Sequence, residues 1–152
     1  LKRAFLFSCL TGLRKSDIQK LTWGEVQKFG KYTRIVFKQR KTKGQEYLDI
    51  SSQAEKYLGE RGNPDDIVFT GFTYGSWTSL ELQRWSLAAG VNKNLTFHCA
   101  RHTFAVLMLD LGADIYTVSK LLGHRFLTTT QIYAKVLDKN KQNAVSLIPD
   151  IG

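Results

Sequence analysis

Apolar positions recur along this chain with two periods. In Leu1 to Leu10, Ala4, Phe5 and Phe7 are candidate packing residues on the tail of a helix, and Thr11-Gly12 ends it, because glycine readily takes the left-handed conformation after a helix. Ser16 is placed to cap a short second helix carrying Ile18 and Leu21. Tyr32 to Lys38 is rich in β-branched and aromatic residues, Gln45 to Ile50 alternates in the same way, and Lys41-Thr42-Lys43-Gly44 between them predicts a hairpin turn. Phe29, Tyr32 and Phe37 read as the buried side of that strand pair. Ser51 or Ser52 caps a helix through Leu58, Arg61-Gly62-Asn63-Pro64 breaks it, and Ile67-Val68-Phe69 is a short extended piece. The remainder has helical spacing. Leu82, Trp85 and Ala89 mark a helix over Thr78 to Ala89. Ala100, Phe104, Leu107, Met108 and Leu111 mark one from His98 to Leu111, closed by Gly112. Asp114 caps a helix carrying Val118, Leu121 and Leu122, Thr128 or Thr129 begins one that holds Tyr133, and Asn143 to Ile148 forms a last amphipathic segment. The pattern predicts a mainly α domain with a small antiparallel β-hairpin or sheet inserted early, an α+β fold without repeats or linkers.

Length and charge narrow the class. A chain of 152 residues fits one domain with a proper core. Twenty-two Lys and Arg against thirteen Asp and Glu give +9, which favours a polyanionic partner. Seven basic residues and no acidic ones lie between Val26 and Gln45, among them Lys38, Arg40, Lys41 and Lys43. A second basic group holds Lys120, Arg125, Lys135, Lys139 and Lys141. The longest apolar run, Phe104 to Leu109, is six residues against the roughly 20 that span a bilayer. Cys9 and Cys99 make no disulfide framework, so a reducing, cytoplasmic setting is expected. The chain opens on Leu1 and is expected to be an excised domain, 1–152, of a longer protein.

Several polar residues fall where chemistry could use them. Arg14 stands just past a helix end. His98 and Arg101 sit at i and i+3 on one helix face, at its first turn, where free backbone N–H groups favour an anion. His124 follows a helix end at Gly123, and Tyr133 comes nine residues later. Singly, each has a plainer reading: a surface arginine, a satisfied histidine, a core tyrosine. Their joint occurrence is far more specific.

Three segments resemble the boxes of the tyrosine recombinase, or phage integrase, family. Thr11-Gly12-Leu13-Arg14-Lys15-Ser16-Asp17 is similar to the first, and His98-Cys99-Ala100-Arg101-His102-Thr103-Phe104-Ala105 to the second. Leu121-Leu122-Gly123-His124 with Thr129-Thr130-Gln131-Ile132-Tyr133 is similar to the third. The resemblance spans Leu1 to about Val136 and implies the catalytic core shared with type IB topoisomerases, without the family's amino-terminal DNA-binding domain. It implies catalytic roles for Arg14, Lys41, His98, Arg101, His124 and Tyr133, with Lys43 as the alternative lysine on the same turn. Asp17 would support Arg14 from behind, and His102 would be structural. Lys38, Arg40, Lys43 and Arg125 would contact double-stranded DNA.

The implied reaction is attack of the Tyr133 oxygen on a DNA phosphodiester, giving a 3′-phosphotyrosine and a free 5′-hydroxyl, then reversal onto another strand. Two guanidiniums suit the charge that develops on the non-bridging oxygens, so neither metal, ATP nor any other cofactor is expected. The implied task is integration or excision of a mobile element, with chromosome-dimer resolution as the alternative. A tetramer on DNA, joined through Asn143 to Ile148, is also implied. Two rival readings stand beside it. A metal hydrolase could use the four-residue step from His98 to His102, but no glutamate follows His98 and neither cysteine has a Cys-x-x-Cys partner. A non-catalytic DNA-binding module explains the charge but not the step from His124 to Tyr133.

Overall fold

The computed structural model describes residues 1–38 and 45–149, which fall into two compact units, Leu1–Arg101 and His102–Gly152. The first unit opens with α1 (Lys2–Thr11), which buries Ala4, Phe5, Phe7, Ser8 and Thr11. Phe5 meets the rings of Trp85 and Phe97 edge-on, each at 5.7 Å, the arrangement that the aromatic quadrupole favours. Gly12 closes the helix at φ 70°, donating its N–H to the Ser8 carbonyl at 2.8 Å. The second helix, α2 (Lys15–Ile18), differs from expectation in its start: the extended backbone of Arg14 precedes it, and Ser16 lies inside it.

A three-stranded antiparallel sheet follows, in the order β1 (Val26–Phe29), β2 (Tyr32–Lys38), β3 (Gln45–Ile50). The bounds of β2 and β3 are those the alternation predicted. β1 was hidden in the sequence because Gln27 and Lys28 break its apolar pattern. It pairs with β2 across the two residues Gly30-Lys31, with Gly30 at φ 58°, as tight hairpins require. The register sets Val26, Ile35 and Leu48 side by side on the buried face, with Thr33 and Ile50 beside them.

This register corrects the expected burial of the aromatics. Phe29 is 58% exposed and Tyr32 49%, because the two are cross-strand partners and each lies three residues along its strand from the buried pair of Val26 and Ile35, on the opposite face, while Phe37 is half-buried. On the outer face Arg34 lies 3.8 Å from the Phe29 ring and 4.0 Å from the Tyr47 ring, and donates two hydrogen bonds to Asp49 (2.6 and 2.9 Å). Those bonds hold the Asp49 carboxyl below the usual carboxylate range.

Ser51 caps α3 (Ser52–Glu55) by accepting from the Ala54 N–H, but the helix stops at Glu55 and Leu58 is buried from a turn. Ile67 makes an isolated bridge to Thr22, and Val68 and Phe69 are buried. α4 (Ser76–Ala88) buries Leu82, but Ala89 is exposed. α5 (His98–Asp110) contains the boundary between the units.

In the second unit the remainder of α5 and α6 (Ile115–Leu121) enclose a core of Phe104, Ala105, Leu109, Val118, Leu122 and Tyr133. The expected stripe on α5 is thus rotated: Leu107 and Leu111 are exposed at 39% and 73%, and Ala105 and Leu109 take their place. Asp114 caps α6 as predicted, accepting from the Thr117 N–H at 2.9 Å. Tyr133 is not on an α-helix. Two tight 3₁₀ turns, Leu127–Thr129 and Gln131–Val136, replace the expected one, and α7 (Leu137–Ser146) follows. Val145, Leu147 and Ile148 at its end are more than 60% exposed. Among the described residues no helix is long and apolar enough to cross a membrane.

Candidate functional site

The first unit builds a cleft from the end of α1 and the start of α5. Thr11 Oγ1 donates to the Phe7 carbonyl (2.8 Å) and accepts from the Leu13 N–H (3.3 Å), while Ser8 Oγ donates to the Leu13 carbonyl (2.8 Å). Both hydroxyl side chains are buried. The chain leaving α1 is thereby pinned in the two residues before Arg14, whose backbone is extended (φ −71°, ψ 153°) and whose side chain is exposed. Arg101 is 6% exposed and donates from Nη1 to the Gly12 carbonyl at 2.5 Å, so the C-terminal cap of α1 orients the guanidinium.

Arg14, Lys15, His98 and Arg101 line one cavity of about 420 Å³, whose other walls include Tyr74 and Phe97. Among the described residues no carboxylate lines it. Lys15 Nζ stands 4.6 Å above the Tyr74 ring, and the Tyr74 hydroxyl accepts from the Phe97 N–H (3.4 Å). Basic side chains thus border the pocket, and two of them, Arg14 and Arg101, carry planar forks of the shape that matches a phosphate edge. Cys9 lies in the same unit, but burial, reinforced by Cys99, pushes its thiol up to about 11. It is therefore protonated at neutral pH and offers no thiolate nucleophile. Among the described residues no three His, Cys, Asp or Glu side chains group as metal ligands.

The second unit holds the other two predicted groups. Gly123, at φ 59°, ends α6, and the His124 N–H returns to the Ser119 carbonyl at 3.0 Å. His124 Nδ1 shares a 2.8 Å hydrogen bond with Thr130 Oγ1, and Thr130 is fully buried. The Thr130 carbonyl also accepts from the Tyr133 N–H at 3.1 Å, so one threonine fixes both the imidazole and the backbone that carries the phenol. When Thr130 donates, the His124 proton sits on Nε2, the form that can donate to an anion. Tyr133 is 9% exposed, and its hydroxyl is hydrogen-bonded to His102 Nδ1.

The structure thus gathers Arg14, His98 and Arg101 in one cleft and links His124 to Tyr133 in the other unit. Asp17 accepts from Ser16 Oγ at 3.5 Å, and among the described residues it makes no ion pair with Arg14. Lys38 is the last residue of β2, opposite Gln45. Arg40, Lys41 and Lys43 lie outside the described residues. Arg125 is exposed, 5.5 Å from the Phe126 ring. Sequence reading missed Ser8, Thr11 and Thr130 as positioning residues, and missed the contact of His102 with the phenol. Ser8, Thr11 and Thr130 carry ordinary hydroxyls, and only the fold shows which backbone groups they meet.

The profile of the phage integrase family matches residues 1–140. The tyrosine recombinase XerD of Oceanobacillus iheyensis is 33% identical over 140 residues, covering 83% of this chain and 46% of the relative. The tyrosine recombinase XerC of Actinobacillus pleuropneumoniae serotype 7 is 34% identical over 134 residues, covering 81% of this chain and 43% of the relative. The chain therefore spans less than half the length of these curated relatives. Among solved structures, the XerH site-specific recombinase in a post-cleavage complex with its palindromic difH substrate superposes with TM-score 0.73 at 21% identity, over 96% of this chain and 45% of that one. The catalytic domain of bacteriophage HP1 integrase superposes with TM-score 0.67 at 24% identity, over 97% of this chain and 82% of that one. At these identities the superpositions speak to the fold.

Proposed function

The chain belongs to the phage integrase family, and from that premise we propose that it cuts and rejoins double-stranded DNA at specific sites through a 3′-phosphotyrosine. The observation that carries this reading is the cleft in which Arg14, His98 and Arg101 stand together, with no carboxylate among the described residues that line it. A scissile phosphate held there gains charge on its non-bridging oxygens as a fifth oxygen approaches. The two guanidiniums neutralise that charge without changing their own protonation, the role that a metal ion has in other nucleases. The Tyr133 oxygen forms the new bond to phosphorus, the bond from phosphorus to the 5′-oxygen breaks, and Lys41 gives that oxygen its proton. His98 and His124 donate to the phosphate oxygens. The ester keeps the free energy of the broken bond, so rejoining needs no ATP.

The reading is tested with a pool of nicked duplexes whose arms are randomised, in EDTA and without nucleotide. Cleavage near the nick releases a short fragment and traps the adduct. A detergent-stable adduct whose peptide maps to Tyr133 is expected. No adduct from the pool, or an adduct only with added divalent metal, overturns the reading. The recovered sequences also separate the task we assign, integration or excision of a mobile element, from chromosome-dimer resolution, which uses the same residues.

Self-association belongs to the same proposal. Val145, Leu147 and Ile148 form an apolar end to α7 that is exposed on the single chain. A partner copy on DNA would cover it. Deleting residues 143–148 is expected to leave binding of one copy per site unchanged and to remove the slower-migrating, multi-copy complex in a native gel. Persistence of that complex rules out this segment as the joint.

A further inference from the structure

The family reading leaves His102 without a chemical role, yet its ring nitrogen touches the phenolic oxygen on which the whole reaction depends. His102 lies on α5, half-buried, and its Nδ1 shares a hydrogen bond with the Tyr133 hydroxyl. The two rings meet at 61° with centroids 5.6 Å apart. Tyr133 belongs to a buried core cluster with Phe104, Ala105, Leu109, Val118 and Leu122. The other histidine of this unit, His124, has its Nδ1 on Thr130 Oγ1. A phenol of ordinary acidity, near 10, attacks phosphorus slowly at neutral pH unless a base removes its proton. The first criterion for such a base is that it lies within hydrogen-bond reach of that proton.

We infer that His102 is the proton acceptor for Tyr133. The inference rests on the phosphotyrosine reading above and deepens it. As the phenolic oxygen bonds to phosphorus, its proton passes to His102 Nδ1, and the bond to the 5′-oxygen breaks. That oxygen takes a separate proton from Lys41. In rejoining, the incoming 5′-hydroxyl gives its proton back to Lys41 as its oxygen bonds to phosphorus, the bond to the phenolic oxygen breaks, and His102 returns its proton to that oxygen. Acceptor and acid thus stay distinct, so a defect in one is not repaired by relieving the other.

The test uses the full chain and a nicked duplex recovered from the adduct pool, with two substitutions. His102→Asn keeps a hydrogen-bonding atom at the Nδ1 position but cannot accept the proton, and His102→Leu keeps neither. Both are expected to cleave about 10²–10⁴-fold more slowly at saturating DNA, with the DNA concentration at half-rate unchanged. Melting temperature and non-specific DNA binding report the fold of each variant. A duplex with sulfur in place of the 5′-bridging oxygen supplies a leaving group that needs no acid. It is expected to leave both His102 defects in place while restoring a Lys41→Ala variant. His102→Asn cleavage within threefold of wild type overturns the inference, as does rescue of His102→Asn by the sulfur substrate. If wild type forms no adduct, the phosphotyrosine reading itself falls, a result distinguishable from either.

Discussion

Tyr133→Phe is expected to form no covalent adduct with any nicked duplex, yet to bind DNA as wild type does and to stay folded. The substitution removes one oxygen and leaves the ring in the core of Phe104, Ala105, Leu109, Val118 and Leu122. Its cost to stability is the hydrogen bond to His102. A lost bond of this kind is worth about 1 kcal/mol, and a domain of this size shifts its Tm by roughly 2–4 °C for that amount. The proposed DNA affinity and its salt dependence would come from cations, which the substitution does not touch, so the slope of log affinity against log salt is expected to be unchanged. The measurements are a denaturing gel for the adduct, a thermal scan for the fold and a salt titration for binding. An adduct that persists in Tyr133→Phe shows that another residue is the nucleophile and overturns the proposed chemistry. Loss of the adduct together with a Tm drop of tens of degrees would instead mark Tyr133 as a core residue.

The phenol illustrates which parts of this protein can be read from sequence. The step from His124 to Tyr133 is a spacing, and spacing survives in the sequence. What the hydroxyl touches is a tertiary fact, since His102 lies 31 residues away. The same division holds elsewhere. The alternation over Tyr32–Lys38 and Gln45–Ile50 placed two strands to the residue, because period two is a local property. It did not show β1, in which Gln27 and Lys28 replace the apolar positions, and without β1 the face of Phe29 and Tyr32 could not be assigned. On α5, helical spacing found Phe104 and Met108 but assigned Leu107 and Leu111 to the core. A helix offers adjoining stripes of similar hydrophobicity, and the packing partner decides between them. Arg14 was legible because Thr11-Gly12 announces a helix end, while the hydroxyl bonds of Ser8 and Thr11 that pin that end required the fold.

Arg101 and Arg14 are expected to fail alike in chemistry and differently in stability. In other enzymes, loss of one preorganised donor to a developing oxyanion lowers the rate by about 10²–10³. Arg101→Ala and Arg14→Ala should each slow cleavage by that order, with the double variant less than multiplicative because, on the proposed mechanism, both donors would face one phosphate. Arg101, however, is buried and donates to the Gly12 carbonyl at the end of α1. Removing it leaves a buried carbonyl without its donor and opens space beneath the cleft, at a cost of about 1–3 kcal/mol. Arg14 is exposed, and its loss should leave Tm within a degree. Arg101→Lys sharpens the distinction. An ammonium keeps the charge but presents a single point, whereas the fork can hold the carbonyl with one nitrogen and a phosphate oxygen with another. Recovery of DNA binding with little recovery of cleavage is therefore expected for the lysine. The measurements are single-turnover adduct formation and thermal unfolding on the same preparations. If either alanine variant cleaves within threefold of wild type, the cleft is not where the phosphate is activated. If Arg14→Ala lowers Tm as far as Arg101→Ala does, the burial of Arg101 is not what distinguishes the pair.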